Sequence, residues 1–273
     1  MQNYKQTDTI LYVKDLEVGY GKKTIIKDIN IEEKNVIRDG HASTGQVIAV
    51  LGRSGRGKST LFKALTGLIK PSTGQILIKD LAGSGNDAKE VKEGDVGFVN
   101  QRYTVFRHKT VENVCMYALR KSKLTDVEKK QVIDHYLKEW GLDEHRKKFE
   151  CELSGGQRQR TAIIEQLLTQ KHFIILDEPF SGLDVGNIEK VKQSFERISN
   201  DNEYNTIIFS THDIKLAIEM ADSIYVIGFP EGTTDYSTIV KHYDLKAMGL
   251  AWDEYDDRHR QVFNDIKETM LKS

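Results

Sequence analysis

Gln46-Val47-Ile48-Ala49-Val50-Leu51, running straight into Gly52-Arg53-Ser54-Gly55-Arg56-Gly57-Lys58-Ser59-Thr60, is the stretch that decides the fold. The first part is a short apolar run of strand length. The second is a glycine-rich loop, and Ser59 to Leu68 continues it with helical spacing. Strand, loop, helix with the spacing G-x-x-x-x-G-K-[ST] is an arrangement built for phosphate. Its glycines let main-chain N–H groups close around phosphate oxygens, and the helix behind points its positive end at them. Lys58 supplies a point charge for β- and γ-phosphates, and the Ser59 hydroxyl suits Mg²⁺. A chance glycine turn would need neither the strand before it nor the helix after it.

Working outward, the strand pattern returns at 173–177, 206–210 and 223–228, with helical segments between. That alternation predicts an α/β core on a parallel sheet. Phe173-Ile174-Ile175-Leu176 ends in Asp177 and Glu178. A buried strand would deliver Asp177 to the Mg²⁺ shell. Glu178 could then accept a hydrogen bond from an attacking water, as a general base or as a positioning group.

Residues 10–33 read as two strands about Gly19-Tyr20-Gly21, and 75–80 as another after the turn at 71–74. Residues 34–45 and 83–94 read as polar loops, and 96–100 as a strand ending at Gln101. From 110 to 170 the chain reads mostly as helix. Thr125 to Glu128 is a capping box, Val132, Ile133, Tyr136, Leu137 and Trp140 make one apolar face, and Gly141 stops the helix. In the tail, 229–232 reads as a turn, and Val262, Phe263, Ile266 and Met270 line one face of a terminal helix packing on its own core.

Leu153-Ser154-Gly155-Gly156-Gln157 is a helix start, with Ser154 at the N-cap and Gln157 three positions on. An ordinary cap explains those two residues. It explains poorly two glycines where they cost helix stability. They leave the first N–H groups unobstructed, as an anion site needs.

Composition bounds the partners. The 273 residues carry 40 Lys and Arg against 41 Asp and Glu, a net charge of −1, which leaves no broad basic footprint for nucleic acid. Cys115 and Cys151 form no metal-ligand spacing and read as reduced thiols. No segment approaches the roughly 18 apolar residues of a membrane span. The start, MQNYKQTDTI, lacks the apolar stretch of a signal peptide. A cytoplasmic place is expected, with any membrane role carried by partners.

Taken together the motifs resemble those of ATP-binding cassette (ABC) ATPases over roughly residues 10–228. Residues 52–59 match the Walker A loop, Asp177 and Glu178 complete Walker B, and LSGGQ at 153–157 is the family signature. The resemblance further implies that Tyr20 stacks on adenine, Gln101 is the Q-loop glutamine, Ser181-Gly182-Leu183-Asp184 is the D-loop and His212 the switch histidine, neutral or protonated at the γ-phosphate. It implies a P-loop NTPase, RecA-like core, an antiparallel β subdomain and a helical subdomain at about 102–165, within a domain of 8–228 followed by an extension of 229–273.

ATP is then expected against Tyr20, Gly52, Arg53, Ser54, Gly55, Arg56, Gly57, Lys58, Ser59, Thr60 and Gln101. Mg²⁺ is expected at Ser59, Gln101 and Asp177, with Glu178, His212 and Lys58 catalytic. Ser154, Gly155, Gly156, Gln157 and Asp184 would reach the ATP of a second cassette in a head-to-tail homodimer or paired cassette. The expected role is the energy-coupling subunit of a transporter, on the inner face of the membrane beside transmembrane permease subunits. Tyr103 to Asn113 resembles the importer segment after the Q-loop, with Arg107 where proline is common. The style is loosely that of nitrate, sulphonate and taurine importers. A soluble ABC ATPase of an assembly or regulatory complex, without a membrane partner, is the alternative. One cassette without coiled-coil arms or CxxC argues against DNA-repair and translation types.

Overall fold

The computed structural model describes residues 4–38, 45–81, 88–169 and 171–273. Its centre is β3 (Gln46–Leu51), six residues with every side chain buried. Val47, Ala49 and Leu51 face one hydrophobic cluster, Ile48 and Val50 the other. A strand covered on both sides reads as a continuous apolar run, because neither face meets water.

Around it, β6 (Gly97–Val99), β7 (Phe173–Leu176), β8 (Thr206–Thr211), β9 (Ser223–Gly228) and β10 (Thr238–Asp244) complete a six-stranded sheet, ordered β10-β9-β3-β8-β7-β6. All neighbours run parallel except β10, which pairs antiparallel with β9 along the edge. A second sheet is antiparallel, in the order β2-β1-β4-β5, from β1 (Tyr4–Tyr20), β2 (Lys23–Arg38), β4 (Thr73–Lys79) and β5 (Ala88–Glu90). Between the two sheets lies α1 (Lys58–Leu65), whose Leu61, Phe62, Ala64 and Leu65 are buried with Ile10, Leu16, Ile26 and Ile29 of the antiparallel sheet.

On the other face sit α2 (Val111–Ala118), α3 (Asp126–Glu139), α4 (Gly155–Leu168), α5 (Val185–Asp201), α6 (Ile214–Met220) and α7 (Asp257–Lys272). Their apolar stripes join Val47, Leu176 and Phe209 in one cluster. Both predicted capping boxes form. Thr125 and Glu128 exchange bonds at the head of α3, Ser154 and Gln157 at the head of α4. Gly141 is left-handed at φ 62, the stop expected after α3. In α7, Val262 and Ile266 are buried, and Phe263 and Met270 pack on the same core.

Two expected loops are corrected. Residues 34–38 belong to β2, because the chain's first residues supply a pairing edge: Tyr4 lies opposite Arg38 and Gln6 opposite Val36. The remainder of that expected loop, 39–44, lies outside the described residues, as do 83–87 of the second. Residues 88–90 of the latter form β5 against β4, with Leu77 opposite Glu90. The strand β10 was not foreseen in the tail.

A buried polar network ties the tail to both sheets. The Lys246 ammonium, just past β10, donates to Glu33 Oε2 at 3.2 Å, Gln46 Oε1 at 3.1 Å and Ser223 Oγ at 3.3 Å. The Tyr225 hydroxyl donates to the other Glu33 oxygen at 2.9 Å. Each ion thus has a partner and further hydrogen bonds, which a buried pair requires.

Candidate functional site

Parallel strands end together, and the loops that follow them converge at that edge. Gly52 follows β3, Gln101 follows β6, Asp177 follows β7 and His212 follows β8. Gln101, Asp177 and His212 meet in a cleft of about 440 Å³ lined also by Ile25 of β2, Ser54 to Thr60 and Ser181, whereas Gly52 is buried outside that lining.

The loop's shape depends on its glycines at two points. Gly57 holds φ +88, and a Cβ there would come within 2.5 Å of Ile26 Cγ2. Gly52 has no unusual φ, yet a Cβ would lie 2.6 Å from the Ile227 carbonyl oxygen. The Lys58 ammonium, almost wholly buried, donates to Gly52 O at 2.7 Å and lies 3.5 Å from Glu178 Oε1.

Ser59 Oγ donates to Asp177 Oδ2 at 2.6 Å, and Ser210 Oγ to Asp177 Oδ1 at 2.7 Å. Two hard oxygen donors, one a carboxylate, face the space beside the phosphate loop, a donor set suited to Mg²⁺. Glu178 is held at four points. Its N–H donates to Ser210 Oγ at 2.8 Å, and its carbonyl accepts from the Tyr103 hydroxyl at 3.0 Å. Its carboxylate meets Lys58 and lies 3.2 Å from His212 Nδ1. Its backbone is left-handed at φ 51, a conformation uncommon for a residue with a side chain. Burial and the nearby Glu178 and Asp177 charges push the Tyr103 phenol up to about 12, so it stays a donor at neutral pH.

The cleft thus gathers Ser54, Gly55, Arg56, Gly57, Lys58, Ser59, Thr60, Gln101, Asp177, Glu178 and His212. Tyr20 stands outside the lining, half-exposed at the β1–β2 turn. Arg53 is exposed at the loop's mouth. Arg56 reaches the cleft, but its guanidinium turns away to the tail. Reading the sequence missed Tyr103, Ser210 and Ile25. Ser210 precedes Thr211 and His212 at the end of an apolar run, a signal that could have found it; Tyr103 offers none beyond its nearness to Gln101.

Ser154, Gly155, Gly156 and Gln157 do not line this cleft. A Cβ on Gly155 would meet nothing within 4 Å, and on Gly156 only the Asn187 side chain at 3.5 Å. Neither glycine has a left-handed φ. Among the described residues nothing therefore calls for glycine there. The head of α4 is tied instead to that of α5. Arg160 Nη1 donates to Asn187 Oδ1 at 2.9 Å, and Asn187 Nδ2 to Asp184 Oδ2 at 2.7 Å. Asp184 caps α5, and the N–H of Asn187 foremost holds its carboxyl below the ordinary range.

A parallel sheet, a glycine loop at the head of α1 and a carboxylate at the end of β7 define a P-loop NTPase fold. The chain belongs to the ABC transporter family, whose model matches residues 39–181. It is 34% identical over 219 residues to a sulfate/thiosulfate import ATP-binding protein of Synechocystis, covering 80% of this chain and 58% of that protein. A probable protein of the same description from Chlorella vulgaris is 33% identical, with 80% and 86% covered. This chain thus spans 58% of the length of the Synechocystis relative. Among solved structures, cbiO1 of Clostridium perfringens, described as part of the ABC transporter complex cbiONQ, superposes with a TM-score of 0.69 at 28% identity, covering 89% of this chain and 91% of that one. Among the described residues no helix is long and apolar enough to cross a membrane.

Proposed function

We propose that this chain binds ATP with Mg²⁺ and hydrolyses it as the cytoplasmic energy-coupling subunit of an ABC transporter, importing rather than exporting. The observation that carries the reading is the convergence of Lys58, Ser59, Asp177, Glu178 and His212 at the ends of three adjacent parallel strands. The import names of its relatives support the direction. The cargo would be set by the membrane partners.

In this reading the N–H groups of residues 54 to 60 bind the phosphates, and Lys58 exchanges its contact with Glu178 for them. That frees the Glu178 carboxylate to accept a hydrogen bond, or the proton, from the attacking water. His212 orients Glu178 through Nδ1. Ser59 and Asp177, with Gln101 at the rim, would hold Mg²⁺, which neutralises charge on the β- and γ-phosphates. Tyr20 takes the adenine. Gly155 and Gly156, bare at a helix N-terminus, face the γ-phosphate of a second cassette, with Ser154, Gln157 and Asp184 beside them. Closure of the pair then depends on ATP, and hydrolysis releases it. Residues 8–228 form the ATPase domain and 229–273 its extension.

The permease would meet the surface after Gln101. There Phe106 packs edge-on against Tyr117 at 5.0 Å, and Arg120 lies 4.0 Å above the Tyr117 ring.

Two variants test the reading. Glu178→Gln should abolish turnover and let ATP-bound dimers accumulate, seen by phosphate release and size-exclusion chromatography. Lys58→Ala should lose ATP affinity in calorimetry. Steady hydrolysis by purified Glu178→Gln protein would remove Glu178 from its role. Recovery of the chain with a polytopic membrane subunit would support the transport half; recovery from the soluble fraction with an assembly complex would refute it.

A further inference from the structure

Arg56 sits inside the phosphate loop, yet its side chain leaves the cleft. The guanidinium lies 3.8 Å from the centroid of the Phe229 ring. Its Nε and Nη2 donate to the Ser273 carbonyl at 3.3 and 3.1 Å. Stacking on an aromatic face while donating from a planar fork is what a guanidinium does and an ammonium does not. Phe229 directly follows β9, and Ser273 caps α7.

The end of α7 is firmly seated. A Cβ on Gly228 would fall 2.3 Å from Ser273 Oγ, so the helix end touches the end of β9 where only glycine fits. Ser273 donates from both N and Oγ to Thr269 O, at 3.1 and 2.8 Å, closing the final turn. The Ser273 carbonyl lies at the helix end where orphan acceptors gather and a cation is favoured. Further back, Val262 and Ile266 are buried, and Asp265 accepts from Lys241 and Tyr243 of β10. The helix thus reaches from the sheet edge to the phosphate loop.

We propose that Arg56 latches α7 to the phosphate loop, so that the docked helix end pre-organises the loop for nucleotide and bound nucleotide in turn firms the helix end. The proposal rests on the nucleotide reading above. Gly55 and Gly57 sit on either side of Arg56 at φ +80 and +88, and glycines lose the most freedom when a loop is ordered. A side chain between them, fixed to a ring and a carbonyl, removes part of that freedom before a ligand arrives. Linkage makes the coupling reciprocal. Arg56 is in this sense a positioning residue, and it gives the tail a function at the site.

The test pairs calorimetry with amide hydrogen exchange, using ATPγS and Mg²⁺ as the probe. In the wild-type chain the probe should slow exchange over 266–273 several-fold. In Arg56→Ala the Kd should weaken about three- to tenfold and the exchange response should vanish, with Arg56→Lys recovering only part of each. Phe229→Leu leaves the loop sequence intact and should also blunt the response, which covers the case in which Arg56→Ala folds poorly. Binding to the wild-type chain with no change in the tail, or an undiminished response in both variants, would overturn the latch alone. No binding to the wild-type chain would overturn the nucleotide reading together with it.

Discussion

The hydroxyl of Tyr103 donates to the main-chain carbonyl of Glu178 at 3.0 Å, across 75 positions of sequence. With Ser210 on the N–H, it pins both sides of a left-handed residue whose carboxylate faces the phosphate loop. Tyr103 stands two residues past Gln101, on the segment proposed to meet the permease, so motion there has a direct path to Glu178. Tyr103→Phe removes only this bond, worth about 1 kcal/mol. The expected outcome is a fall in kcat of roughly five- to tenfold with KM for ATP unchanged. Steady-state ATPase assays check it, and an unchanged kcat would separate the hydroxyl from the chemistry.

Gly155→Ala separates stability from function. A Cβ at this site meets nothing within 4 Å, and alanine favours helix over glycine by up to about 1 kcal/mol. The variant should melt no lower than wild type by calorimetry, yet lose ATP-dependent dimerisation and turnover, because the methyl group would stand where phosphate oxygens are proposed to approach. Full activity would mean that α4 presents its N-terminus to nothing.

Glu165, on α4, should make the protein less stable as pH rises. Burial pushes its carboxyl from an ordinary 4.5 up to about 7, with Arg120 pulling partly back. Between those values the folded state holds a proton that the unfolded chain has released, so stability declines across that window. Glu165→Gln should therefore raise Tm by a few degrees at pH 8 and change it little at pH 4. An equal effect at both pH values would point to packing rather than titration.

Lys246→Met should be costly. It strips the cation from Glu33, which is almost fully buried, and breaking one side of such a pair costs about 3–5 kcal/mol. Urea titration should show a lower midpoint with a similar slope. Burial lowers the ammonium's pKa, but the charges of Glu33, Asp222 and Asp244 outweigh it and raise the pKa above its ordinary 10.5. Its stabilising share is thus complete below that value and is lost as pH climbs through the raised one.

What could be read in advance was what local chemistry dictates. The strand and glycine loop at 46–60 and the capping boxes of Thr125 and Ser154 are written in neighbouring residues. So is the apolar stripe of Val262 and Ile266. The features missed depend on distant partners. Lys34-Asn35-Val36-Ile37-Arg38 looks like polar loop until residues 4–6 pair with it. Thr238–Asp244 becomes a strand because β9 offers it an edge. Asp177 was legible as a carboxylate at a strand end, but its partner Ser210 is 33 residues away. Tyr20, Gln101 and His212 carry no local signature, and only the family pattern marked them.

The central position of β3 also governs the order of events during synthesis. The hairpin of β1 and β2 can close as soon as both have left the ribosome. β3 cannot: Gln46 pairs with Thr206, and the Val47 N–H reaches Asp222, 175 positions later. Until then a strand apolar on both faces has no neighbours in its own sheet, which slows folding and exposes an aggregation-prone edge. The nascent chain should therefore spend most of its translation with the antiparallel strands free to pair while β3 stays unsatisfied, the interval in which a chaperone would matter most.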